Sequence, residues 1–441
     1  MFIISSVVCV LSTSCYAINK NNFYNFKNKC DSKINITNKK LDLRDLIEIC
    51  VCNNPDLASE YLNVEIAKSK KKQQTAEYMP QLSASASTNS EHKNIEDDNN
   101  TTDEPYSAKL SLEWLLYDFG GRQSRNKLYK SDIDIANFEY NTKLYDTILS
   151  VHTVYLKLLG AQEILKSAEE NEKAFKKSFE ESSKKYNLGM ASLNDKLQAK
   201  TQYEESILEV VEARNTIKQY NGELAILLNL SPLTKFNLQE PLINNDITKL
   251  DFEDNINTMI ETATKNRTEI KKAEKTIEYN KYNLKLAKNN LMPTISAVGS
   301  LTYEDDWDKN KYEKTSYIGI NVSVPIFAGF ANVNKISQAN YEYKQAKYDL
   351  EVTKNDIANE VWSAYQNYKT AVESYRISQQ VVKSAEENLK VSFKSYSVGK
   401  IDIISLLTAN SKLASAKKDK INNFYNVLIT KADLYRKIGE I

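Results

Sequence analysis

The feature that most constrains the fold is an internal repeat, because the second half of the chain restates the first. An offset of 210 residues places Tyr186-Asn-Leu-Gly189 on Tyr396-Ser-Val-Gly399. Self-similarity at a fixed period decides the architecture before single residues decide the chemistry. We therefore predict two structural copies, residues 42–230 and 267–441, joined by a linker over residues 231–266.

Long helices dominate both predicted copies. Only ten glycines and seven prolines punctuate 441 residues, so long stretches contain no helix breaker. Apolar positions step by four and three from Leu144 to Leu165, and again from Ile357 to Tyr375, as in a coiled-coil seam. Each of these patterns continues for roughly 65 residues, which corresponds to a helix about 100 Å long.

Each long helix is predicted to end at a glycine and to be followed by a returning partner helix. Gly189 and Gly399 stand where a C-cap glycine would end the helix. A second helical pattern of about 35 residues follows each glycine. The sequence therefore predicts two long antiparallel coiled-coil hairpins, over residues 122–230 and 331–438.

Ahead of each hairpin the sequence predicts a helix and two strands. The helices are of mixed polarity, cover roughly residues 42–78 and 267–291, and both precede a Met-Pro pair. The strand pairs follow over residues 81–117 and 294–327, where polar and apolar residues alternate with period two. The expected fold class is mainly α with a small β part.

The strand pairs carry a clear two-faced pattern. Between Ser107 and Leu115 every second residue is apolar, and residues 317–324 repeat this alternation in the second copy. A charged loop lies within each pair, over residues 91–105 and 304–314. We expect these two loops to face solvent.

The N-terminal residues predict export. Residues 1–17 form an apolar run that closes on Cys15-Tyr16-Ala17, with small residues at the two positions that a signal peptidase recognises. Cleavage after Ala17 would leave an N-terminal extension over residues 18–41. Further along, no apolar run reaches the roughly 18 residues that a membrane-spanning helix needs. Any membrane crossing would therefore use strands.

Four two-faced strands predict an oligomer. They match transmembrane β-strands, with lipid on one face and water on the other, but four strands cannot close a barrel. An open edge in hydrocarbon leaves backbone groups unpaired at several kcal/mol each. Three copies would give 12 strands around a wide lumen, whereas the interior of an eight-stranded barrel is nearly filled by side chains. We therefore favour a trimer.

The alternative is a small soluble β-domain with one face packed on helices. The export signal and the recurrence of the strand pair in both copies favour the membrane. Aromatic residues near strand ends favour it too, because such residues concentrate at membrane interfaces. The predicted interface aromatics are Tyr106, Trp114, Tyr117 and Tyr303.

The residue chemistry argues against an enzyme and against a nucleic-acid partner. The chain has only two histidines, His92 and His152, and lacks a Gly-rich phosphate loop, a nucleophile elbow and a metal-ligand cluster. Its net charge is +1, with 59 basic and 58 acidic residues intermixed. No basic patch is interleaved with aromatic residues, as a nucleic-acid surface would require. We expect no catalysis, no metal and no cofactor.

Three cysteines follow the signal segment, Cys30, Cys50 and Cys52. An odd number in an oxidising compartment permits one disulfide and one spare thiol. We predict a disulfide that joins Cys30 to either Cys50 or Cys52. The Cys-x-Cys spacing without a neighbouring histidine is a weak metal signal.

The order and duplication of the motifs resemble the TolC family of outer-membrane efflux and secretion proteins. The resemblance covers essentially the whole mature chain. It rests on the two Met-Pro pairs, the Tyr-x-x-Gly at both hairpin ends, and three further motifs, Asn53-Asn-Pro-Asp-Leu57, Trp114-Leu-Leu-Tyr-Asp-Phe-Gly-Gly121 and Val324-Pro-Ile-Phe-Ala-Gly329. It implies a homotrimer with a 12-stranded barrel in the outer membrane of a Gram-negative bacterium, and a 12-helix tunnel in the periplasm.

The resemblance also implies partners and roles for particular residues. Members are passive channels, opened at the periplasmic end by an adaptor and driven by an inner-membrane pump. The linker would belong to an equatorial belt around the tunnel. On this basis the adaptor-docking hairpin tips are Leu188, Gly189, Met190, Val398, Gly399 and Lys400.

One departure from the family pattern concerns the periplasmic constriction. The family often narrows this end with rings of aspartates just beyond the second tip glycine. Here those positions hold Ser405 and Thr408. Asp402 lies nearby, and Asp195 occupies the matching place in the first copy. The resemblance therefore implies at most a weaker acidic constriction.

The sequence thus predicts the outer-membrane exit duct of a tripartite efflux pump or of a type I secretion system. The alternative is a periplasmic coiled-coil adaptor or scaffold without a membrane barrel, which would share the export signal and the long hairpins. An adaptor has one central hairpin flanked by β-rich halves, whereas this chain has two hairpins, each preceded by a strand pair.

Overall fold

The computed structural model describes residues 40–89, 91–93, 101–103, 105–239, 256–306 and 312–440. The predicted signal peptide, almost all of the predicted N-terminal extension and much of the linker lie outside these residues. In chain order the elements are α1 (Leu43–Asn53), α2 (Pro55–Ala76), β1 (Gln81–Thr88), β2 (Glu91–Lys93), β3 (Thr101–Asp103), β4 (Pro105–Tyr117), α3 (Gly121–Asn187), α4 (Leu193–Leu227), α5 (Ile256–Asn266), α6 (Thr268–Asn289), β5 (Thr294–Asp306), β6 (Tyr312–Ser323), α7 (Ala331–Ser397) and α8 (Ile403–Ile438).

The two copies contain matching elements, which confirms the predicted repeat. The long helices α3 and α7 have 67 residues each, and their partners α4 and α8 have 35 and 36. The apolar seam predicted along the long helices is buried, as expected for coiled-coil packing. Its buried members are Leu144, Ile148, Val151, Tyr155, Leu158, Ile357, Val361, Ala364, Tyr368 and Ala371.

The described chain forms two compact units. One comprises Glu60–Tyr140 and Glu269–Thr353, and it contains the whole four-stranded sheet. The other comprises the residues up to Ser59 together with Asn141–Thr268 and Lys354–Ile441, and it contains the ends of both hairpins. Among the helices that the structure describes, none combines the length and the apolar character required to cross a bilayer.

The first predicted helix is divided in two at Asn54. This residue has an extended backbone and precedes Pro55, which disfavours the helical conformation at the residue before it. The Asn54 side-chain oxygen accepts hydrogen bonds from the backbone N–H groups of Asp56 (3.0 Å) and Leu57 (3.1 Å) and so caps α2. Its amide donates to the carbonyl oxygen of Leu227 at 3.1 Å, which fixes the end of α4.

The linker begins as an ordered segment beside the start of the described chain. Leu41 forms a parallel bridge with Leu238, and its backbone exchanges hydrogen bonds of 2.9 Å with Asn237 and Gln239. The Tyr155 hydroxyl donates to the Gln239 carbonyl oxygen at 2.5 Å. The linker also contains the helix α5, which the sequence did not predict. Its assignment to an equatorial belt stays a prediction.

The four long strands form one antiparallel sheet in the order β1-β4-β5-β6. One row across the sheet aligns apolar or small residues, Leu82, Leu112, Gly299 and Ile318. The adjacent row, on the other face, aligns Ser83, Ser111, Ser300 and Tyr317. Since successive side chains point to opposite faces, the sheet has one apolar face and one polar face. The predicted alternation is confirmed.

The strands differ from the prediction in their limits. Strand β5 continues to Asp306 and β6 begins at Tyr312, so most of the predicted 304–314 loop is paired strand. Within the predicted 91–105 loop, β2 and β3 pair as a short two-stranded sheet. A bulge between Leu115 and Tyr117 shifts the register by one residue. It places Tyr117 opposite Ile295, on the same face as Trp114.

The two strand-to-helix junctions use different chemistry. After β4, the buried Arg122 donates to the carbonyl oxygens of Leu115 (2.8 Å) and Leu116 (2.9 Å). Its guanidinium also lies 3.6 Å from the Asp118 carboxylate and stacks over the ring of Tyr78 at 4.6 Å. In the second copy, the positions of Asp118 and Arg122 hold Ala328 and Asn332 at the same offset of 210. That junction lacks the ion pair.

The two described cysteines differ in state. Cys50 is a free and buried thiol, and its Sγ donates to the Leu227 carbonyl oxygen at 3.2 Å. Cys52 is disulfide-bonded, and its partner lies outside the described residues. Of the two pairings left open by the sequence, the one through Cys52 therefore remains, and Cys30 as its partner stays a prediction.

Candidate functional site at the hairpin ends

Both long helices end in a tight glycine cap. Gly189 has φ of 73° and Gly399 has φ of 76°, a left-handed conformation that glycine adopts without steric cost. The Gly189 N–H donates to the Tyr186 carbonyl oxygen at 2.9 Å, and the Met190 N–H donates to that of Lys185 at 2.8 Å. The second hairpin forms the same pair of bonds at 3.1 and 2.8 Å. These bonds form Schellman caps, in agreement with the predicted C-cap position of both glycines.

The turns at these caps present apolar side chains to solvent. Leu188 is 74% exposed, Met190 is 72% exposed and Val398 is 69% exposed. A Cβ atom added at either tip glycine would meet nothing within 4 Å. Exposed apolar side chains that group together often mark a contact surface. The role of these residues in adaptor docking nevertheless stays a prediction.

Two of the four predicted constriction residues, Asp195 and Asp402, take part locally in helix capping. Asp195 and Ser192 form a capping box at the start of α4, with bonds of 3.0 and 3.1 Å. Asp402 caps α8 and accepts a hydrogen bond of 2.9 Å from the Ser405 N–H. Hydrogen bonds with Ser405 hold the pKa of Asp402 below its usual value. Thr408 bonds within its own helix, to the Ile404 carbonyl oxygen at 2.8 Å.

Close to the glycine caps, the two hairpins share one apolar cluster, which we name the tip cluster. All four hairpin helices contribute buried side chains to it. The Phe179 and Tyr203 rings pack against it and stack with their centroids 6.1 Å apart and their planes 10° apart. The buried members of the tip cluster are Phe175, Ala199, Tyr396, Ile403, Leu406 and Leu407.

Polar contacts supplement the tip cluster. The Lys185 ammonium donates to the Tyr396 carbonyl oxygen at 2.5 Å and lies 3.8 Å from the centroid of the Tyr396 ring. The Asn410 amide donates to the Ser178 hydroxyl at 3.0 Å, in a buried position. The hairpins are therefore coupled by burial, by a cation–π contact and by hydrogen bonds.

Sequence reasoning missed Lys185 and Asn410 as contact residues. A lysine or an asparagine on a long charged helix is usually solvated, so neither residue type is informative by itself. One signal was present: Lys185 directly precedes the Tyr-x-x-Gly motif in the first copy only, where the second copy has Ser395. A contact made by one copy with the other breaks the repeat at just such positions.

The hairpins also approach each other closely farther from the tips. A Cβ atom added at Gly160 in α3 would lie 3.0 Å from the Tyr425 ring of α8. Near this contact, a groove of about 700 Å³ runs between α3, α4 and α8. Small side chains line much of it, including Ala161, Ala168, Ser206, Ala213 and Ala414. Glycine at position 160 is thus favoured by close packing and not by backbone conformation.

Comparison with known proteins identifies the family. A profile of the family described as outer membrane efflux protein matches residues 46–230 and 259–440. The chain belongs to this family. The two matched ranges follow the two copies of the repeat, so each copy of this outer membrane efflux protein carries the family pattern.

Individual relatives extend over most of the chain. Outer membrane protein TolC of Escherichia coli is 22% identical over 404 residues, which cover 88% of this chain and 80% of TolC. Alkaline protease secretion protein AprF of Pseudomonas aeruginosa is 20% identical and covers 75% of this chain and 71% of its own length. The CmeC outer membrane channel of Campylobacter jejuni superposes with a TM-score of 0.75 at 19% identity, over 90% of this chain and 85% of CmeC.

Family membership gives the protein its class and its location. Outer membrane efflux proteins are channels, and this one is an exit duct in the outer membrane of a Gram-negative bacterium with a periplasmic portion. The alternative of a periplasmic adaptor is wrong, because the family profile covers both copies of the repeat and the fold is that of an outer membrane channel.

Proposed function

We propose that three copies of this chain form the duct, with their sheets closing a 12-stranded barrel in the outer membrane and their hairpins continuing as a periplasmic tunnel of 12 helices. The observation that carries this proposal is the two-faced sheet with two open edges. Among the described strands, β1 pairs only with β4 and β6 only with β5. In lipid, those unpaired edge groups would cost several kcal/mol each unless another copy satisfied them.

The aromatic residues near the strand ends support this membrane placement. Tyr106 and Tyr303 lie at the loop end of the sheet, and Trp114 and Tyr117 lie at the end where α3 begins. Along β4, Tyr106 and Trp114 are eight residues apart. At about 3.3 Å per residue this separation is about 26 Å along the strand, which at the usual strand tilt of about 40° spans about 20 Å of depth, most of the apolar band of about 25 Å in outer-membrane barrels.

The hairpin ends are the proposed gate and docking site. A periplasmic adaptor would contact the exposed apolar side chains beside Gly189 and Gly399 and would hold the two hairpins apart against the tip cluster. Such a partner can shift the equilibrium only by binding the open state better than the closed one. Asp195, Asp402, Ser405 and Thr408 would line a weakly acidic constriction just beyond the tips.

The proposed system is either a tripartite efflux pump or a type I secretion system, with an inner-membrane pump as the energy source. The names of similar proteins support both: AprF is described as a secretion protein, and TtgC of Pseudomonas putida as a probable efflux pump outer membrane protein. Deleting the gene in its host separates the two. Increased drug sensitivity supports efflux, and loss of a secreted protein supports secretion.

Substitutions at the tips test the docking site. Gly189→Val and Gly399→Val force a β-branched residue into a left-handed conformation, whereas Gly189→Asn and Gly399→Asn keep a residue type that tolerates it. We expect the valine variants to lose export and the asparagine variants to retain it, while both form trimers that resist alkaline extraction from membranes. Normal export by both valine variants would refute the tip assignment. Release of the wild-type chain by alkaline wash would refute the membrane duct.

A further inference from the structure

The loop end of the sheet carries a group of polar and aromatic side chains that conduction through the duct does not explain. We name Tyr106, Tyr303, Asp305, Tyr312 and Lys314 the loop-end cluster. Tyr106 pairs with Asp305 across β4 and β5, and Tyr303 pairs with Lys314 across β5 and β6. By strand parity all five lie on the apolar face of the sheet, on the same side as Leu301 and Leu110.

The Asp305 carboxylate of the loop-end cluster accepts hydrogen bonds from two tyrosine hydroxyls. The Tyr106 hydroxyl donates to Asp305 Oδ2 at 2.6 Å, and the Tyr303 hydroxyl donates to the same oxygen at 2.9 Å. Hydrogen bonds to a charged acceptor are strong, so this carboxylate fixes the position of both rings. The Tyr106 and Tyr303 rings lie 6.2 Å apart, and the Tyr303 and Tyr312 rings stack at 6.0 Å. The result is an ordered aromatic platform.

One lysine, Lys314, lies over two of these rings. The Lys314 ammonium lies 5.8 Å from the centroid of the Tyr303 ring and 5.2 Å from that of Tyr312. Lys314 is exposed, and among the described side chains it forms no ion pair. By parity it is also the one cation on the apolar face of the described four-stranded sheet, because Lys109 lies on the polar face. The ammonium is thus held above two aromatic rings on an exposed side chain.

We propose that the loop-end cluster binds the phosphate of a phosphorylated glycolipid headgroup in the outer leaflet. The inference rests on the proposed function, in which the apolar face contacts lipid and the loop end faces the cell exterior. At that depth an ammonium that reaches the headgroups meets phosphate, which it binds through charge-assisted hydrogen bonds. The exposed faces of Tyr303 and Tyr312 would pack against the sugar to which the phosphate is attached.

Charge complementarity selects this ligand among the components of a membrane surface. A zwitterionic headgroup offers Lys314 a phosphate whose charge is already balanced by its own cation, and a neutral headgroup offers no anion, so an anionic phosphate forms the stronger pair with the ammonium. Acyl chains alone would pack against the apolar side chains of the sheet, and their binding would not require a lysine. The cluster thus distinguishes phosphorylated from dephosphorylated lipids with the same chains.

The test uses the full-length trimer purified in detergent, with diphosphoryl lipid A and its dephosphorylated form as probes, and bound lipid counted by native mass spectrometry. We expect the wild-type trimer to prefer the diphosphoryl form and Lys314→Gln to bind it about tenfold more weakly, the loss of one charge-assisted hydrogen bond. Lys314→Arg should retain binding, and Lys109→Gln, on the polar face, should match the wild type.

Two results would overturn the inference. Equal retention of the two lipids by the wild type would mean that the acyl chains alone are recognised. Equal binding by Lys314→Gln and the wild type would exclude the lysine. Alkaline extraction of membranes that contain the wild-type protein tests the proposed function separately. If the wild-type trimer stays in the membrane while Lys314→Gln binds the lipid normally, only the lipid site is contradicted.

Discussion

The Lys185 ammonium lies 3.8 Å from the centre of the Tyr396 ring and donates to the Tyr396 carbonyl oxygen, so the ends of the two longest helices are joined by one side chain. A cation–π contact and a hydrogen bond of this kind together contribute about 1–2 kcal/mol. Lys185→Gln should therefore weaken the closed arrangement of the hairpins. Its neighbour Lys184 pairs with Glu181 in its own helix, at 3.6 Å, and supplies the matched control.

Single-channel recording in planar bilayers measures this effect. We expect Lys185→Gln to raise the fraction of time spent in the high-conductance state about tenfold, which corresponds to about 1.4 kcal/mol. Lys184→Gln should behave as the wild type. Equal gating by the two variants would show that the contact with Tyr396 does not hold the tips together.

Close packing at Gly160 makes a second prediction. Gly160→Val would drive its side chain into the Tyr425 ring, since even a Cβ would lie 3.0 Å from it. We expect a loss of about 1–3 kcal/mol in the free energy of unfolding, as for other overpacked sites. The same substitution at Gly222, where a Cβ would come no closer than 3.9 Å to any atom beyond the adjacent backbone of its own helix, should change stability little. Chemical denaturation measures the free energy of unfolding of both variants. Equal values for Gly160→Val and Gly222→Val would contradict the packing argument.

The fold was largely predictable from the sequence because it is periodic. The repeat, the seam from Leu144 onward and the strand alternation all follow from spacing, and a spacing survives many substitutions. The glycine caps were equally accessible, since a left-handed position strongly favours glycine. What spacing could not predict were events that interrupt a period, such as the bulge that moves Tyr117 to the face of Trp114.

The contacts within the candidate site were less predictable. Lys185 and Asn410 acquire their partners only when two segments more than 200 residues apart meet, as their bonds to Tyr396 and Ser178 show. Nothing in a single helix distinguishes such residues from solvated ones. The division at Asn54, by contrast, could have been predicted, because an Asn-Pro pair is a well-known helix start.

Burial of His152 predicts sensitivity to acid. Burial lowers the pKa of this histidine from 6.5 to about 4, so the unfolded chain binds its proton more readily than the folded chain. The stability associated with the neutral ring is complete above pH 6.5 and is lost as the pH falls toward 4, by up to about 3 kcal/mol. Thermal unfolding between pH 4 and pH 7 should show this slope in the wild type and a shallower one in His152→Leu. Parallel pH profiles would contradict it.

The cysteines predict a selective labelling pattern. Burial raises the pKa of Cys50 to about 12, so its thiol stays protonated and unreactive near neutral pH. A maleimide should leave Cys50 unmodified in the folded protein, should label Cys52 after gentle reduction, and should reach Cys50 only after unfolding. Peptide mapping without reductant should join Cys52 to Cys30. Modification of Cys50 in the folded chain, or its recovery in the linked peptide, would contradict the assignment.

The difference between the two strand-to-helix junctions affects the symmetry of the proposed trimer. Two equivalent halves in each of three chains would give a ring with approximate six-fold symmetry. The Asp118 and Arg122 pair occurs once per chain, and Ala328 and Asn332 take its place in the other half. In the proposed trimer, junctions with and without this ion pair would alternate around the circumference, so the ring would keep three-fold and not six-fold symmetry where the helices leave the barrel.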